Sequence, residues 1–326
     1  MITHQKSLRE FHKQLEYVLN NYTSHNLKAT DYQNIIIGGL GGSGIGGTIT
    51  KGLFINQSPV PIEVVNDYTL PAYVGDKTLV VLGSYSGNTE ETLSMFDDAK
   101  SKNASILIIC AGGKLKELAI ENGLKHYIIE EGFQPRMALG YSLGFLLKIF
   151  AELMGESIDE EIKSIIQSLQ ENQDRFIKSA SEIQKKFQAT LNRRYTIICD
   201  APFYGVAMRF AQQINENSKQ EAFVSILPEA NHNVIESYYG QLPSNFIILN
   251  SNSNERVGAR FDFVAGLLEK ENNKLAQFLT EGVEIATVFE ITYILDWFTI
   301  LITEPLDVDP MQIENIVSLK EFLSEY

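Results

Sequence analysis

Residues Gly83 to Thr92, GSYSGNTEET, set three hydroxyls, Ser84, Ser86 and Thr89, around a glycine, between the apolar run TLVVL and a segment of helical period. Hydroxyls and unpaired backbone N–H groups at a helix mouth can donate to a phosphate, and the helix end adds about half a positive charge. Ordinary capping by Ser86 or Asn88, with Glu91 as a capping-box partner, accounts for part of this pattern but not for three hydroxyls flanking a glycine. A second stretch, GGLGGSGIGG from Gly38 to Gly47, also leaves an apolar run and opens a helix, and Ser43 places a hydroxyl among its glycines. Gly39, Gly41 and Gly44 satisfy G-x-G-x-x-G, with Glu63 and Asp67 as acidic candidates for a ribose contact, so a dinucleotide-dependent oxidoreductase is one open reading.

Further along lie isolated groups of catalytic type. Glu216 stands between Asn215 and Asn217 at the end of the helical run VAMRFAQQINEN, where burial would raise a carboxyl from about 4.3 toward the poise of a general base. A solvated helix-end acid is the other reading. His232, one of 5 histidines, sits in the polar run LPEANHN and titrates near about 6.5 if unperturbed. Glu229 precedes it as a second carboxylate. Arg136 follows Pro135 at a helix start, where a guanidinium can stabilise a developing oxyanion. Neither H-E-x-x-H nor paired C-x-x-C occurs, and there is no G-x-S-x-G elbow or P-loop, which disfavours metal, hydrolase and nucleotidase chemistry.

These groups need a scaffold, and 326 residues suffice for two domains with a core each. A hydrophobic fraction of 44% against 21% charged residues is globular composition. The net charge of -14 argues against nucleic-acid or anionic-membrane surfaces, so an anionic ligand must be held by local groups. From Asn34, apolar strand-like runs (NIIIGG, PIEVVND, TLVVLGS, SILIIC, HYIIE) alternate with helical ones, which gives a parallel sheet covered on both faces. The alternation restarts at YTIICD and continues through EAFVSIL, NFIILN and EIATV to a long apolar helix through Trp297. The expected fold class is therefore α/β: two domains, each a mostly parallel, doubly wound, flavodoxin-like sheet flanked by helices. The first spans 1–156 with an N-terminal helix, a connecting helix occupies 157–191, and the second spans 192–326. The chain closes on DPMQIENIVSLKEFLSEY, with Ile313, Ile316, Leu319 and Leu323 on one helix face and Lys320 on the polar side. Cys110 and Cys199 each end an apolar strand and read as buried reduced thiols, which places the protein in the cytoplasm. No signal core or transmembrane span is expected.

The loop SYSGNTEET resembles the phosphosugar-binding signature of the sugar isomerase (SIS) domain family, and GGLGGSGIGG is similar to that family's first loop. In order after them, QPRMALGYSLG, INENSK, LPEANHN and DPMQIENIVSLK resemble the bifunctional phosphoglucose/phosphomannose isomerases, over about Asn34 to Lys320. The run VIESYY after Asn233 departs from an acidic residue and downstream Gly-Trp pair frequent in relatives. The resemblance implies two SIS domains and aldose–ketose isomerisation of glucose 6-phosphate, and of mannose 6-phosphate, with fructose 6-phosphate through an enediol. It implies that Gly42, Ser43, Ser84, Ser86 and Thr89 hold phosphate and sugar, that Glu216 carries the proton, that Arg136 stabilises the enediolate and that His232, from the partner in a homodimer, opens the ring. Lys320 is carried over as a sugar or phosphate contact, with Lys219 as a competitor. No cofactor and no metal are implied. A SIS-type sensor that binds sugar phosphate without turnover would share the hydroxyl loop but has no need of Glu216 with His232.

Overall fold

The computed structural model describes residues 2–325. Two amphipathic helices, α1 (His4–Arg9) and α2 (Phe11–Asn21), lead into the first sheet, built from β1 (Asn34–Gly39), β2 (Ile62–Val65), β3 (Thr78–Ser84), β4 (Ser105–Cys110) and β5 (His126–Ile128). Every pairing is parallel and the order is β2-β1-β3-β4-β5, the flavodoxin-like winding. The crossovers are α3 (Gly41–Phe54), α4 (Glu90–Ser101) and α5 (Gly113–Glu121), and α6 (Leu139–Leu153) follows the sheet. Runs such as TLVVL and ILIIC are buried along their length because helices cover both faces.

The segment expected as one connecting helix is two, α7 (Asp159–Glu171) and α8 (Gln173–Phe187), which meet at Asn172. Each has one buried stripe: Ile162, Ile165, Ile166 and Leu169 on the first, Phe176, Ala180, Ile183 and Phe187 on the second. The second sheet comprises β6 (Arg194–Cys199), β7 (Ala222–Ile226), β8 (Ser244–Asn250) and β9 (Leu275–Leu279), parallel throughout in the order β7-β6-β8-β9. Its helices are α9 (Tyr204–Ser218), α10 (Glu255–Lys270) and α11 (Ile285–Leu301), and α12 (Glu314–Leu323) ends the chain. EIATV is not a strand, as its β-branched residues suggested: it opens α11, and the fourth strand is LAQFL just upstream. α11 is buried on every side only from Ile291 to Ile300; its first turns mix buried Ile285, Val288 and Phe289 with exposed Ala286 and half-buried Thr287 and Glu290. Among the described residues no helix is long and apolar enough to cross a membrane.

One apolar core runs from the first sheet through α6, α7 and α8 to α11 and the second sheet. Where the halves meet, α3 lies against α9, and Gly205 permits the approach: a Cβ there would stand 2.8 Å from the N and Cα of Ile49. Gly205→Val should therefore lower unfolding free energy by about 1–3 kcal/mol in urea denaturation. A variant as stable as the parent would show that the helices do not approach this closely.

Candidate active site

Both glycine or hydroxyl loops leave the carboxyl edge of the first sheet from adjacent strands, since Gly39 of β1 pairs with Gly83 of β3. Ser43 ties them together, its Oγ accepting from the Tyr85 amide at 2.9 Å. Within the second loop the hydroxyls hold each other: Ser84 Oγ lies 2.8 Å from Thr89 Oγ1 and accepts from the Gly87 amide at 3.1 Å. Ser86 Oγ accepts from the Asn88 amide at 3.2 Å. Gly87 has φ +67, and a Cβ there would fall 1.8 Å from the Gly112 carbonyl oxygen, so only glycine closes this turn. The N-cap positions of α3 and α4 are Leu40 and Thr89, and neither makes a side-chain cap bond. No side chain therefore caps the first-turn amides of either helix, although the Ser43 amide donates to the Leu40 carbonyl at 3.1 Å. Glu90 and Glu91 occupy the first turn of α4, so an anion there relies on hydroxyls and amides more than on net charge.

Over the first loop lies the 3-10 turn Pro135–Met137, close enough that a Cβ on Gly42 would stand 2.9 Å from the Arg136 nitrogen. That turn delivers a guanidinium only 4% exposed. Arg136 Nε donates to Asn217 Oδ1 at 2.9 Å, Nη1 to Glu216 Oε2 at 3.2 Å, and Nη2 to the Pro310 carbonyl at 2.5 Å. Glu216 is thus brought from the last turn of α9 to the carboxyl edge of the opposite sheet. Its side chain is 29% exposed, so it is an ion-paired, half-buried acid, not the deeply buried one that its neighbours suggested. Its Oε1 has no partner among the described residues.

The turn itself is gripped from both sides. Arg209 of α9 donates to the Arg136 carbonyl at 3.1 Å and to Asp296 of α11 at 2.5 Å, both charged groups being buried. Burial pushes the Asp296 carboxyl upward and Arg209 pulls it back. From the N-terminal helices, Ser7 and Gln14 donate to the Met137 carbonyl at 3.1 and 2.8 Å. Asn217, fully buried, continues the network to Thr299 Oγ1 at 2.9 Å. A buried guanidinium tolerates little slack, because any donor that loses its acceptor is left desolvated.

A bifunctional phosphoglucose/phosphomannose isomerase of Caldicellulosiruptor bescii is 35% identical over 329 residues, covering 96% of each chain. The chain belongs to the bifunctional phosphoglucose/phosphomannose isomerase family. The Aquifex aeolicus protein of the same description is 33% identical over 98% of this chain and 100% of its own. The family model for the bacterial phospho-glucose isomerase C-terminal SIS domain matches residues 178–323, and the SIS domain model matches residues 30–132. Each match contains one of the two sheets. Among solved structures, the C-terminal domain of glucosamine-fructose-6-phosphate aminotransferase from Francisella tularensis superposes with a TM-score of 0.71 at 18% identity, covering 94% of this chain and 97% of that one. At that identity the shared property is the fold.

Of the residues singled out in the sequence, Gly42, Ser43, Ser84, Ser86, Thr89, Arg136 and Glu216 belong to one contiguous region. His232 does not. It is exposed in the 3-10 turn Glu229–His232 beyond the end of β7, whereas Glu216 lies just before that strand begins, so the strand's length of about 16 Å separates them within one chain. Glu229 accepts from Asn233 at 2.9 Å in the same turn. Lys320 is exposed on α12 and makes no side-chain hydrogen bond or ion pair among the described residues, while Lys219 Nζ donates to the Gln312 carbonyl at 2.7 Å and to the Glu216 carbonyl. Glu63 and Asp67 engage Tyr73 and the Tyr68 amide.

Sequence reasoning missed the supports. Tyr85, inside the quoted hydroxyl loop, accepts from the Phe133 amide and donates to the Glu130 carbonyl, each at 2.9 Å, which steers the chain toward Pro135. His4 was missed entirely. It is buried, neither ring nitrogen has a partner among the described residues, and burial followed by the charges of Arg136 and Arg209 lowers its pKa to about 3. An unfolded histidine takes its proton near about 6.5, so the stability attached to His4 is complete above that pH and is lost as pH falls toward about 3. Between about pH 6.5 and 4.5, the parent should lose up to about 1.4 kcal/mol per pH unit more than His4→Leu in urea denaturation. Equal slopes for the two proteins would contradict a buried neutral His4.

Proposed function

We propose that this enzyme interconverts glucose 6-phosphate, and mannose 6-phosphate, with fructose 6-phosphate by moving one proton between C1 and C2 through an enediol, without a metal. The observation that carries this reading is the Arg136–Glu216 pair, held at 3.2 Å, whose arginine rises from a turn with its backbone packed against Gly42 of the first loop. Amides of Gly42 and its neighbours, with Ser43, Ser84, Ser86 and Thr89, take the phosphate. Those hydroxyls bond to one another and to nearby amides in the free protein, and their rotors can turn to an anion without moving the backbone. The sugar chain then runs from the loop toward Glu216, one arginine side chain away.

Glu216 removes the proton from C2 of the aldose, or from C1 of the ketose, and returns it to the other carbon. The negative charge that grows on the adjacent oxygen is met by the Arg136 guanidinium, a preoriented donor in a poorly hydrated setting. Abstraction at C2 erases that centre's configuration, so one site serves both aldose epimers. Ring opening needs an acid near neutral pH, and His232 is assigned that role from a second copy of the chain, because within one chain β7 lies between it and Glu216. A homodimer is also supported by α12, on which every residue is exposed although Ile316, Val317, Leu319 and Leu323 are apolar. In such a pair Lys320 approaches the sugar or phosphate of a neighbouring site. Cys110 and Cys199, both buried free thiols, support a reducing, cytoplasmic setting in sugar-phosphate metabolism.

Incubating the purified protein with fructose 6-phosphate in the presence of a chelator should yield both glucose 6-phosphate and mannose 6-phosphate. Neither product forming would overturn the reading. Glu216→Gln should lower kcat by at least about 10²-fold while sugar-phosphate binding persists, and a parental rate in that variant would remove Glu216 from the chemistry.

A further inference from the structure

Among the described residues, those other than glycine with left-handed φ are Asn26, Asn103, Asn252, Asn272, Asp307 and Lys219. Asparagine and aspartate tolerate this region because their short polar side chains bond locally. Lys219 has no such excuse. It stands at φ 58, ψ 28 immediately after α9, the place where helices ordinarily end on glycine. A Cβ in that conformation is crowded, so the position carries local strain that glycine would relieve.

The side chain kept there ends at the candidate site. Lys219 Nζ donates to the carbonyl of Glu216 and, at 2.7 Å, to the carbonyl of Gln312. An ammonium has three donors, and the third has no partner among the described residues. Residues 310–312 form a strap whose successive carbonyls are taken by Arg136, Gln134 at 3.0 Å and Lys219, so the strap fixes the amine relative to the guanidinium. Partial burial and the nearby Arg136 charge lower the Lys219 pKa from the ordinary lysine value, with Asp309 and Glu216 acting the other way. Lys320, the other lysine considered for this role, makes no side-chain hydrogen bond or ion pair among the described residues, whereas Lys219, equally exposed, is held by two carbonyls.

We infer that Lys219 is a substrate-contacting residue of the isomerase site, its free N–H donating to the sugar oxygen on which negative charge grows beside Glu216. This rests on the isomerisation reading above. A purely local role, the amine closing off the last carbonyls of α9, predicts something different: removing it would cost stability and leave turnover alone.

Lys219→Gly separates the two, because glycine accepts the backbone and deletes the amine. The expected result is a thermal midpoint equal to or above the parent's, with kcat/KM for fructose 6-phosphate lower by about 10²-fold and most of the loss in kcat. Lys219→Asn, which also tolerates the backbone, should behave alike. Parental kcat/KM within about two-fold in both variants, or a loss of activity that follows a loss of stability, overturns the assignment. Glu216→Gln measured in parallel keeps the two ideas apart. If it is inactive while Lys219→Gly is fully active, only the Lys219 assignment fails; if it is fully active, the isomerase site itself is wrong.

Discussion

A guanidinium taken out of water must have its donors met, and in this protein that requirement draws three distant segments together. Arg136 reaches Asn217 and Glu216 at the end of α9 and the carbonyl of Pro310 in the strap before α12. Its own carbonyl is held by Arg209, which is locked on Asp296 inside the second half. One side chain from the first sheet's side is therefore bonded entirely by acceptors from the other. Breaking any of these contacts would strand a buried donor, so the guanidinium is held in place at the seam between the two halves.

The two sheets share a winding yet contribute opposite ends to the site. The first offers its carboxyl edge, where loops from β1 and β3 expose amides and hydroxyls. The second offers the far end of α9, a position at the amino edge of its own strands. This arrangement follows from the close crossing of α3 and α9 at Gly205 and Ile49, which sets the start of one helix near the end of the other's site residues. The carboxyl edge of the second sheet, with Asn231, His232 and Asn233, is left facing away from Glu216.

Most of the fold was legible because parallel strands buried on both faces are written as uninterrupted apolar runs, and TLVVLGS and SILIIC matched their strands in full. Legibility failed where apolar content lost its period. EIATV, rich in β-branched residues and too short to show a helical period, read as a strand, and the half-exposed LAQFL was passed over. Asn172 carries no proline or glycine signal, so two helices read as one. In the site, residues within short motifs were visible, since hydroxyls beside glycines and an acid between two asparagines are unusual locally. Those that act through long-range contact, Arg209 on Asp296 and His4 beneath Arg136, look like an ordinary amphipathic helix from sequence. No local pattern predicts that a lysine will sit at positive φ.

The claim on which the account depends is spatial: the phosphate sits over the glycine and hydroxyl loops so that the sugar's reacting carbons fall beside Glu216. A crystal structure of the complex with a non-reacting hexitol 6-phosphate tests it directly. The account predicts phosphate oxygens within hydrogen-bonding distance of Ser43, Ser84, Ser86 and Thr89, with C1 and C2 next to the Glu216 carboxylate. A phosphate bound elsewhere, or a sugar chain running away from Glu216, would contradict it.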